Sequence, residues 1–228
     1  MNSLTTTPIS DLLKQLFQKA EAADRPLSEA SNNEGTELSQ DQINTFLEDE
    51  TKDYKAVYRT YAGNYLNISP EFGKFLYMCV RARKAKRIVE FGTSFGISAI
   101  HLALALRDGG GGQLIGTELE ATKAAAAKQN LAAAGVADLV DIRIGDALET
   151  LNENIGGEVD LVHLDGAFSL YLPVLKLLEP HLRAGALALG ENSFGEYIDY
   201  VRDPQNGYLS LALPFEAGRG NEFTVFTR

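Results

Sequence analysis

The sequence has a single cysteine, and it lacks any long apolar run. Cys79 alone excludes an intramolecular disulfide and a metal site built from several cysteines, so a reduced, cytoplasmic setting is expected. No stretch approaches the roughly 18 consecutive apolar residues that cross a bilayer. The first residues contain no basic segment followed by an apolar core, so we expect neither a membrane span nor a secretory signal.

Positive charge is also scarce. There are 21 Lys and Arg residues against 31 Asp and Glu residues, which gives a formal net charge of -10. This balance disfavours non-specific binding to nucleic acid or to anionic membranes, and it says little about a small-molecule substrate. The 228 residues, 45% of them hydrophobic, suffice for one large α/β domain with a short appendage.

From Arg87 onward, strand-like and helix-like segments alternate regularly. Five such strand–helix pairs predict a parallel sheet that is covered by helices on both faces. Two further strand-like runs, GYLSLALPF and NEFTVFTR, have no helix between them and predict an antiparallel hairpin at the sheet edge. The prediction is therefore an α/β fold with seven strands.

The N-terminal region has a different pattern. Apolar spacing predicts a helix over ISDLLKQLFQKAEA, and the polar residues 24–42 predict a loop. One or two charged amphipathic helices are expected over residues 40–63, and an apolar-faced helix is expected over residues 69–86.

A glycine turn follows the first strand of the alternating region. Residues 92–96 read GTSFG, without the middle glycine of a dinucleotide-binding turn. Glu90 precedes Gly92 by two residues and would repel a phosphate there. A phosphate-free nucleoside with a positive charge, such as S-adenosylmethionine, fits this pattern. The alternative is that Glu90 is a structural acid and that the turn only packs a helix onto the strand.

Two more acids follow the next two strands. Glu118 ends the second strand, where it either accepts hydrogen bonds from ribose hydroxyls or caps the next helix. Asp146 follows the third strand, where it either accepts from an adenine amino group or caps a short helix. Together with Glu90, they place three acids at three successive strand ends.

Four segments, VEFGTSFGISA, TELE, IGDALETL and VDLVHLDGAFSLYLPVLKLLEPHLRAGALALGEN, resemble the class I S-adenosylmethionine-dependent methyltransferases. More narrowly, they resemble the small bacterial O-methyltransferases related to the catechol and caffeoyl-coenzyme A enzymes. The resemblance covers residues 65–228 and implies a Rossmann-like sheet of order 3-2-1-4-5-7-6 with its last strand antiparallel. Residues 1–64 are then a helical extension that serves as a substrate lid, a dimer contact or both, in a homodimer. The cofactor contacts expected on this basis are Glu90, Gly92, Ser94, Ser98, Glu118, Asp146 and Asp165.

The resemblance also implies a metal site. Metal-dependent members of the family hold a divalent cation such as Mg²⁺ with an aspartate after the fourth strand and an Asp-Asn pair after the fifth. The matching residues here are Asp165, Glu191 and Asn192, so glutamate replaces one aspartate. The family's lysine three residues after the first aspartate is replaced by Phe168, which cannot take a proton. Either another group serves, or a metal-bound acceptor ionises readily, or the chemistry differs.

Other candidates carry open alternatives. His163 shares a strand face with Asp165, which makes it either a general base or a hydrogen-bonded core residue. The near-helical series Tyr54, Tyr58, Tyr61 and Tyr65 either walls a pocket for a planar acceptor or packs against the sheet.

The leading hypothesis is an enzyme that transfers a methyl group from S-adenosylmethionine to an oxygen of a small molecule. Asp165 would hold the metal and orient the acceptor beside Glu191 and Asn192; without metal, Glu191 or His163 becomes the candidate base. The alternatives are N- or C-methylation without metal, and a non-catalytic cofactor-binding subunit. Acceptor choice is expected to depend on the N-terminal helices and on the loops around Asn192 and Phe215.

Overall fold

The computed structural model describes residues 2–33, 40–214 and 220–228. Its strands are β1 (Arg87–Phe91), β2 (Gln113–Glu118), β3 (Val140–Ile144), β4 (Val159–Leu164), β5 (Leu182–Gly190), β6 (Tyr208–Ala212) and β7 (Glu222–Phe226). The described helices are α1 (Ile9–Asn33), α2 (Gln40–Arg59), α3 (Pro70–Arg83), α4 (Ile97–Asp108), α5 (Ala121–Ala133), α6 (Ala147–Thr150), α7 (Tyr171–Leu178) and α8 (Gly195–Arg202).

All seven strands form one sheet of order β3-β2-β1-β4-β5-β7-β6. The first five pair in parallel, whereas β7 runs antiparallel to both β5 and β6. The predicted fold class, strand order and antiparallel last strand are therefore confirmed. From β1 the chain builds the sheet outward to β2 and β3 on one side, and then returns to add β4 on the other side of β1. The strand order therefore reverses between β1 and β4. Ligands of such sheets bind at the carboxyl ends of the strands beside this switch point.

Helices cover both faces of the sheet. One apolar core joins the sheet to α1, α3, α4 and α5, and the other joins it to α6, α7 and α8. Helix α4 is buried from Ile97 to Leu106 because it lies between the sheet and the N-terminal helices, which explains why its sequence is apolar on nearly every side. Helix α3 begins where Ser69 Oγ accepts a hydrogen bond from Phe72 N at 3.0 Å, directly before Pro70.

The loop predicted from residue 24 is wrong over residues 24–33, because α1 continues to Asn33 with Pro26 inside it. Asp24 ties this part of the helix to a distant segment, since its carboxylate accepts the backbone N–H groups of Tyr65 and Leu66, each at 2.8 Å. This contact lies far away in the chain, so local composition could not reveal it. Residues 34–39 of the predicted loop lie outside the described residues, as does Phe215.

Helix α2 is kinked at Asp53, whose φ of -156° and ψ of 75° are not helical. The region thus matches the expectation of one or two helices. None of the helices within the described ranges has both the length and the apolar character needed to cross a membrane.

Candidate active site

The glycine turn lies where β1 and β4 end together. Gly92 has φ of +93°, and a Cβ placed on it would lie 2.0 Å from the backbone oxygen of Asp165. The N–H of Asp165 donates to Phe91 O at 2.9 Å, and the N–H of Thr93 donates to Thr117 O at 2.9 Å. Only glycine fits this approach, which brings Asp165 beside the turn.

A cleft of about 670 Å³, part of it open to solvent, follows the carboxyl ends of β1, β2, β3 and β4. Its lining includes five of the predicted cofactor residues: Gly92, Ser94, Glu118, Asp146 and Asp165. A smaller adjoining recess is lined by Ser98 together with Tyr65, Gly92 and Asp165.

Glu118 ends β2 and faces the cleft. Its two carboxylate oxygens accept the backbone N–H groups of Ser94 at 2.7 Å and Glu120 at 2.8 Å. Burial raises the pKa of the Glu118 carboxyl, while these N–H groups and the charge of Lys123 oppose that rise. Each oxygen retains a further lone pair, so Glu118 can still accept a hydrogen bond from a ligand hydroxyl.

Sequence reasoning missed Lys123, which also lines the cleft and is buried. Burial lowers the pKa of its ammonium group, whereas the neighbouring Glu118 carboxylate raises it. Lys123 lies in the first turn of α5, where a positive charge opposes the helix dipole. That unfavourable position was the only signal in the sequence.

Asp146 both caps a helix and faces the cleft. One carboxylate oxygen accepts the N–H of Leu148 at 3.0 Å, so it caps α6. The other accepts the hydroxyl of Tyr54 at 2.5 Å and lies 2.7 Å from the Lys55 ammonium. Burial opposes ionisation of Asp146, but Lys55 and Tyr54 outweigh it and lower its pKa. Helix α2 is thereby attached to the cleft.

Glu90 and His163 lie behind the glycine turn, inside the sheet. Both side chains are fully buried, and neither contributes to the cleft lining. Glu90 accepts the Thr93 hydroxyl at 2.8 Å, and its other oxygen lies 3.5 Å from His163 Nδ1. Glu90 therefore lies outside the cleft lining, and its contact with a ligand stays a prediction.

His163 lies within β4 and does not line the cleft, and its role as a base stays a prediction. All six residues of β4 are buried, and the ring of His163 packs 5.9 Å from that of Phe72. Neither ring nitrogen makes a hydrogen bond to any residue in the described ranges, so the histidine is a core residue without the expected bonding partner.

Of the three predicted metal ligands, Asp165 lines the cleft, whereas Glu191 and Asn192 do not. Glu191 follows β5 and is buried, and its backbone oxygen accepts the Tyr171 hydroxyl at 2.8 Å. Asn192 has φ of +50°. Burial raises the pKa of Tyr171, and the charges of Asp165 and Glu191 raise it further, so both carboxylates lie near this hydroxyl.

Oxygen donors of this kind suit Mg²⁺. Within the described part of the chain, no three His, Cys, Asp or Glu side chains are grouped to hold a metal, and the predicted set relies on the Asn192 amide as its third donor.

An aromatic cluster occupies the position of the family's lysine. The Phe168 ring lies 4.9 Å from Phe194, 5.8 Å from Tyr171 and 6.3 Å from Phe46. Phe168 begins the short 3-10 turn Phe168–Leu170, against which α2 packs. This position is therefore apolar where the family resemblance implies a lysine.

The four tyrosines divide between the predicted roles. Tyr54 and Tyr58 line the cleft, and the Tyr58 hydroxyl lies 3.3 Å from Gly166 O. Tyr65 lines the smaller recess and stacks on Phe95 at 3.9 Å. Tyr61 packs at 6.2 Å from the Tyr58 ring and does not line the cleft.

The strand order, the glycine turn and the cleft at the switch point define a class I methyltransferase. The chain belongs to the O-methyltransferase family, whose model matches residues 37–205. A catechol O-methyltransferase of Mycobacterium tuberculosis is 41% identical over 98 residues, which are 43% of this chain and 44% of that protein. One from Niastella koreensis is 32% identical over 130 residues, or 56% of this chain and 58% of that protein. The chain thus spans about half the length of these curated relatives.

A solved structure supports the same assignment. The O-methyltransferase TomG from Streptomyces achromogenes, crystallised with S-adenosylmethionine, is 26% identical with a TM-score of 0.61, over 80% of this chain and 90% of that chain.

Proposed function

We propose that this chain transfers a methyl group from S-adenosylmethionine to an oxygen atom of a small molecule. The observation that carries the proposal is the cleft at the switch point of the sheet, where the glycine turn meets Glu118, Asp146 and Asp165. The cofactor supplies a methyl group on a positively charged sulfur. Family membership supports the reaction, and the cofactor-bound relative supports the ligand.

The cleft suggests how the cofactor is held. Glu118 is proposed to accept the ribose hydroxyls, and Asp146 to accept the adenine amino group. The recess lined by Ser98, Gly92 and Asp165 is proposed to take the amino-acid end. Ser94 contributes backbone geometry, because its N–H orients Glu118. Glu90 and His163 are proposed to support the turn from inside the sheet.

A divalent cation at Asp165, Glu191 and Asn192 remains part of the proposal. Two carboxylates and an amide supply three oxygen donors, and a cation held there would lower the pKa of an acceptor hydroxyl. Removal of metal with EDTA, followed by return of Mg²⁺, tests this directly. Activity that is unchanged by EDTA would exclude the metal while leaving methyl transfer intact.

Residues 1–64 are proposed to cover the site, and residues 65–228 to form the methyltransferase domain. The contacts of Tyr54 and Lys55 with Asp146 support a covering role for α2.

A homodimer is also proposed: Leu209 and Leu211 of the outer strand β6 are 71% and 67% exposed, which supplies an apolar surface for a second copy. Light scattering of the purified protein tests the dimer. A cytoplasmic setting accords with the free, buried Cys79.

The test of function uses the purified chain with S-adenosylmethionine and a panel of catechols, phenols and hydroxycinnamates, with and without Mg²⁺. Formation of S-adenosylhomocysteine and a methyl ether is expected. Calorimetry with S-adenosylhomocysteine and with NADH tests the cleft separately, and binding of NADH alone would refute the proposal. Turnover of amines without turnover of any hydroxyl would favour N-methylation, and tight cofactor binding without turnover would favour a non-catalytic subunit.

A further inference from the structure

Glu50 is an acid that the fold buries at a cost. It lies on α2 and has no exposed surface. The N–H groups of Phe168 and Ser169 and the Tyr58 hydroxyl are near enough to attract its carboxylate. Neither oxygen, however, makes a hydrogen bond of full geometry to any residue the structure describes. Burying an unpaired carboxylate costs several kcal/mol, and such groups concentrate at functional sites.

The position of Glu50 relates it to the reaction. It packs against the 3-10 turn that begins at Phe168, where the family's lysine is absent. Tyr58 lies between this carboxylate and the cleft, because its ring lines the cleft with Asp165 while its hydroxyl lies near Glu50. The 3.3 Å contact from the Tyr58 hydroxyl to Gly166 O is longer than the usual 2.5–3.0 Å of an O–H···O bond. The hydroxyl is therefore weakly held and can turn toward Glu50.

We propose that Glu50 receives, through Tyr58, the proton that the acceptor hydroxyl loses during methyl transfer. The acceptor passes its proton to Tyr58 while Tyr58 passes its own proton to Glu50. The acceptor oxygen then forms the new O–CH₃ bond with its lone pair as the S–CH₃ bond breaks. The products are a methyl ether, a neutral thioether and a protonated Glu50, which later releases its proton to solvent. This inference rests on the function proposed above.

The surroundings fit these roles. Burial raises the pKa of Glu50, which makes it a stronger base than an exposed glutamate. Burial and the charge of Glu50 raise the pKa of Tyr58, so the phenol keeps its proton at neutral pH and acts as a relay. The other titratable groups that act on Tyr58 are Tyr61 just after α2, Asp165 after β4 and Tyr171 on α7. Each of these is an acid, so none stabilises the ionised form of Glu50.

The test compares the wild-type protein with Glu50→Gln and Tyr58→Phe, which keep the shapes of the side chains. Glu48→Gln is the matched control, because Glu48 lies on the same helix with 73% of its side chain exposed. With a catechol from the panel, kcat should fall about 100-fold in both test variants, the lower end of the usual range for general acid–base catalysis. Affinity for S-adenosylhomocysteine should stay unchanged. The acidic limb of the kcat–pH profile should disappear in Glu50→Gln and persist in Glu48→Gln.

Two further measurements separate a proton acceptor from a structural residue. Adding Phe168→Lys to Glu50→Gln should recover part of the lost kcat, because it returns a proton-accepting group to the turn. A ¹³C NMR titration should assign Glu50 a pKa above that of the exposed glutamates, and Tyr58→Phe should change it.

Two results would overturn this inference while leaving the proposed function intact. One is a Glu50→Gln variant with wild-type kcat and an unchanged pH profile, and the other is an ordinary pKa for Glu50. A wild-type protein that binds the cofactor but methylates no hydroxyl would overturn the proposed function and this inference with it.

Discussion

Gly92→Ala tests the close approach on which the cleft depends. The new Cβ would lie 2.0 Å from the backbone oxygen and 2.6 Å from the carbonyl carbon of Asp165. Both are backbone atoms, so no side-chain rotation relieves the clash. Overpacking of this kind costs about 1–3 kcal/mol. The φ of +93° adds about 1–2 kcal/mol for a residue with a Cβ. At about 2–4 °C per kcal/mol for a chain of this size, we expect the melting temperature to fall by about 4–20 °C.

Gly111→Ala is the matched control. Gly111 has a similar φ of +89°, but no atom lies within 4 Å of the position that a Cβ would take there. It lies in the turn before β2, at the opposite end of the strands from the cleft. This variant should show only the backbone contribution, about 1–2 kcal/mol. Thermal unfolding measures both variants, and calorimetry with S-adenosylhomocysteine reports on the cleft. Binding should weaken at least tenfold in Gly92→Ala and stay unchanged in Gly111→Ala, since about 1.4 kcal/mol corresponds to a factor of ten. Equal melting temperatures, or wild-type affinity in Gly92→Ala, would refute the reasoning.

Three other predictions concern carboxylates that the fold buries. Burial raises the pKa of Glu50 in the folded state, so the folded protein loses stability as the pH rises from the usual glutamate pKa through the raised one. Glu50→Gln should therefore raise the melting temperature by several degrees at pH 7 but not at pH 4. An equal effect at both pH values would contradict this. Asp146→Asn should weaken S-adenosylhomocysteine binding by about tenfold in calorimetry, whereas Lys55→Met should leave a measurable site, because Asp146 lines the cleft and Lys55 does not. Arg202→Met removes two hydrogen bonds, at 2.9 and 2.7 Å, from the buried Glu222. Urea unfolding should show that the free energy of unfolding falls by about 1–3 kcal/mol. An unchanged free energy of unfolding would mean that solvent replaces the arginine.

The sheet could be predicted because its signals are local and repeated. Each strand is followed by a helical pattern, and the two final strands lack one, so strand number and the edge hairpin followed from periodicity alone. The order of the strands required the family resemblance. The acids at the ends of β2 and β3 were also predictable, because the residue after a parallel strand emerges at the ligand-binding edge.

Glu90 shows where this reasoning stops. It lies within β1, a central strand that is buried on both faces, and the sequence of such a strand does not show which residues point toward a cavity. In the fold its carboxylate is turned to Thr93 and His163. Glu50 was invisible for another reason: it precedes Asp165 by more than one hundred residues, and only the packing of α2 on the Phe168 turn brings it near the site.

The charge of the cleft differs from what a count of acids suggests. Asp146 is paired with Lys55, Glu118 lies beside Lys123 and accepts two N–H groups, and Glu90 is outside the cleft. Glu120 also lines the cleft, and Asp165 lies where the glycine turn, the recess with Ser98 and the cleft meet. In the proposed function, the positive centre of the cofactor is its methyl-bearing sulfur, and Asp165 supplies a negative charge where the cleft and the recess meet. On this proposal, Glu118 and Asp146 recognise the nucleoside end by hydrogen bonds, and electrostatic attraction acts at the reacting end.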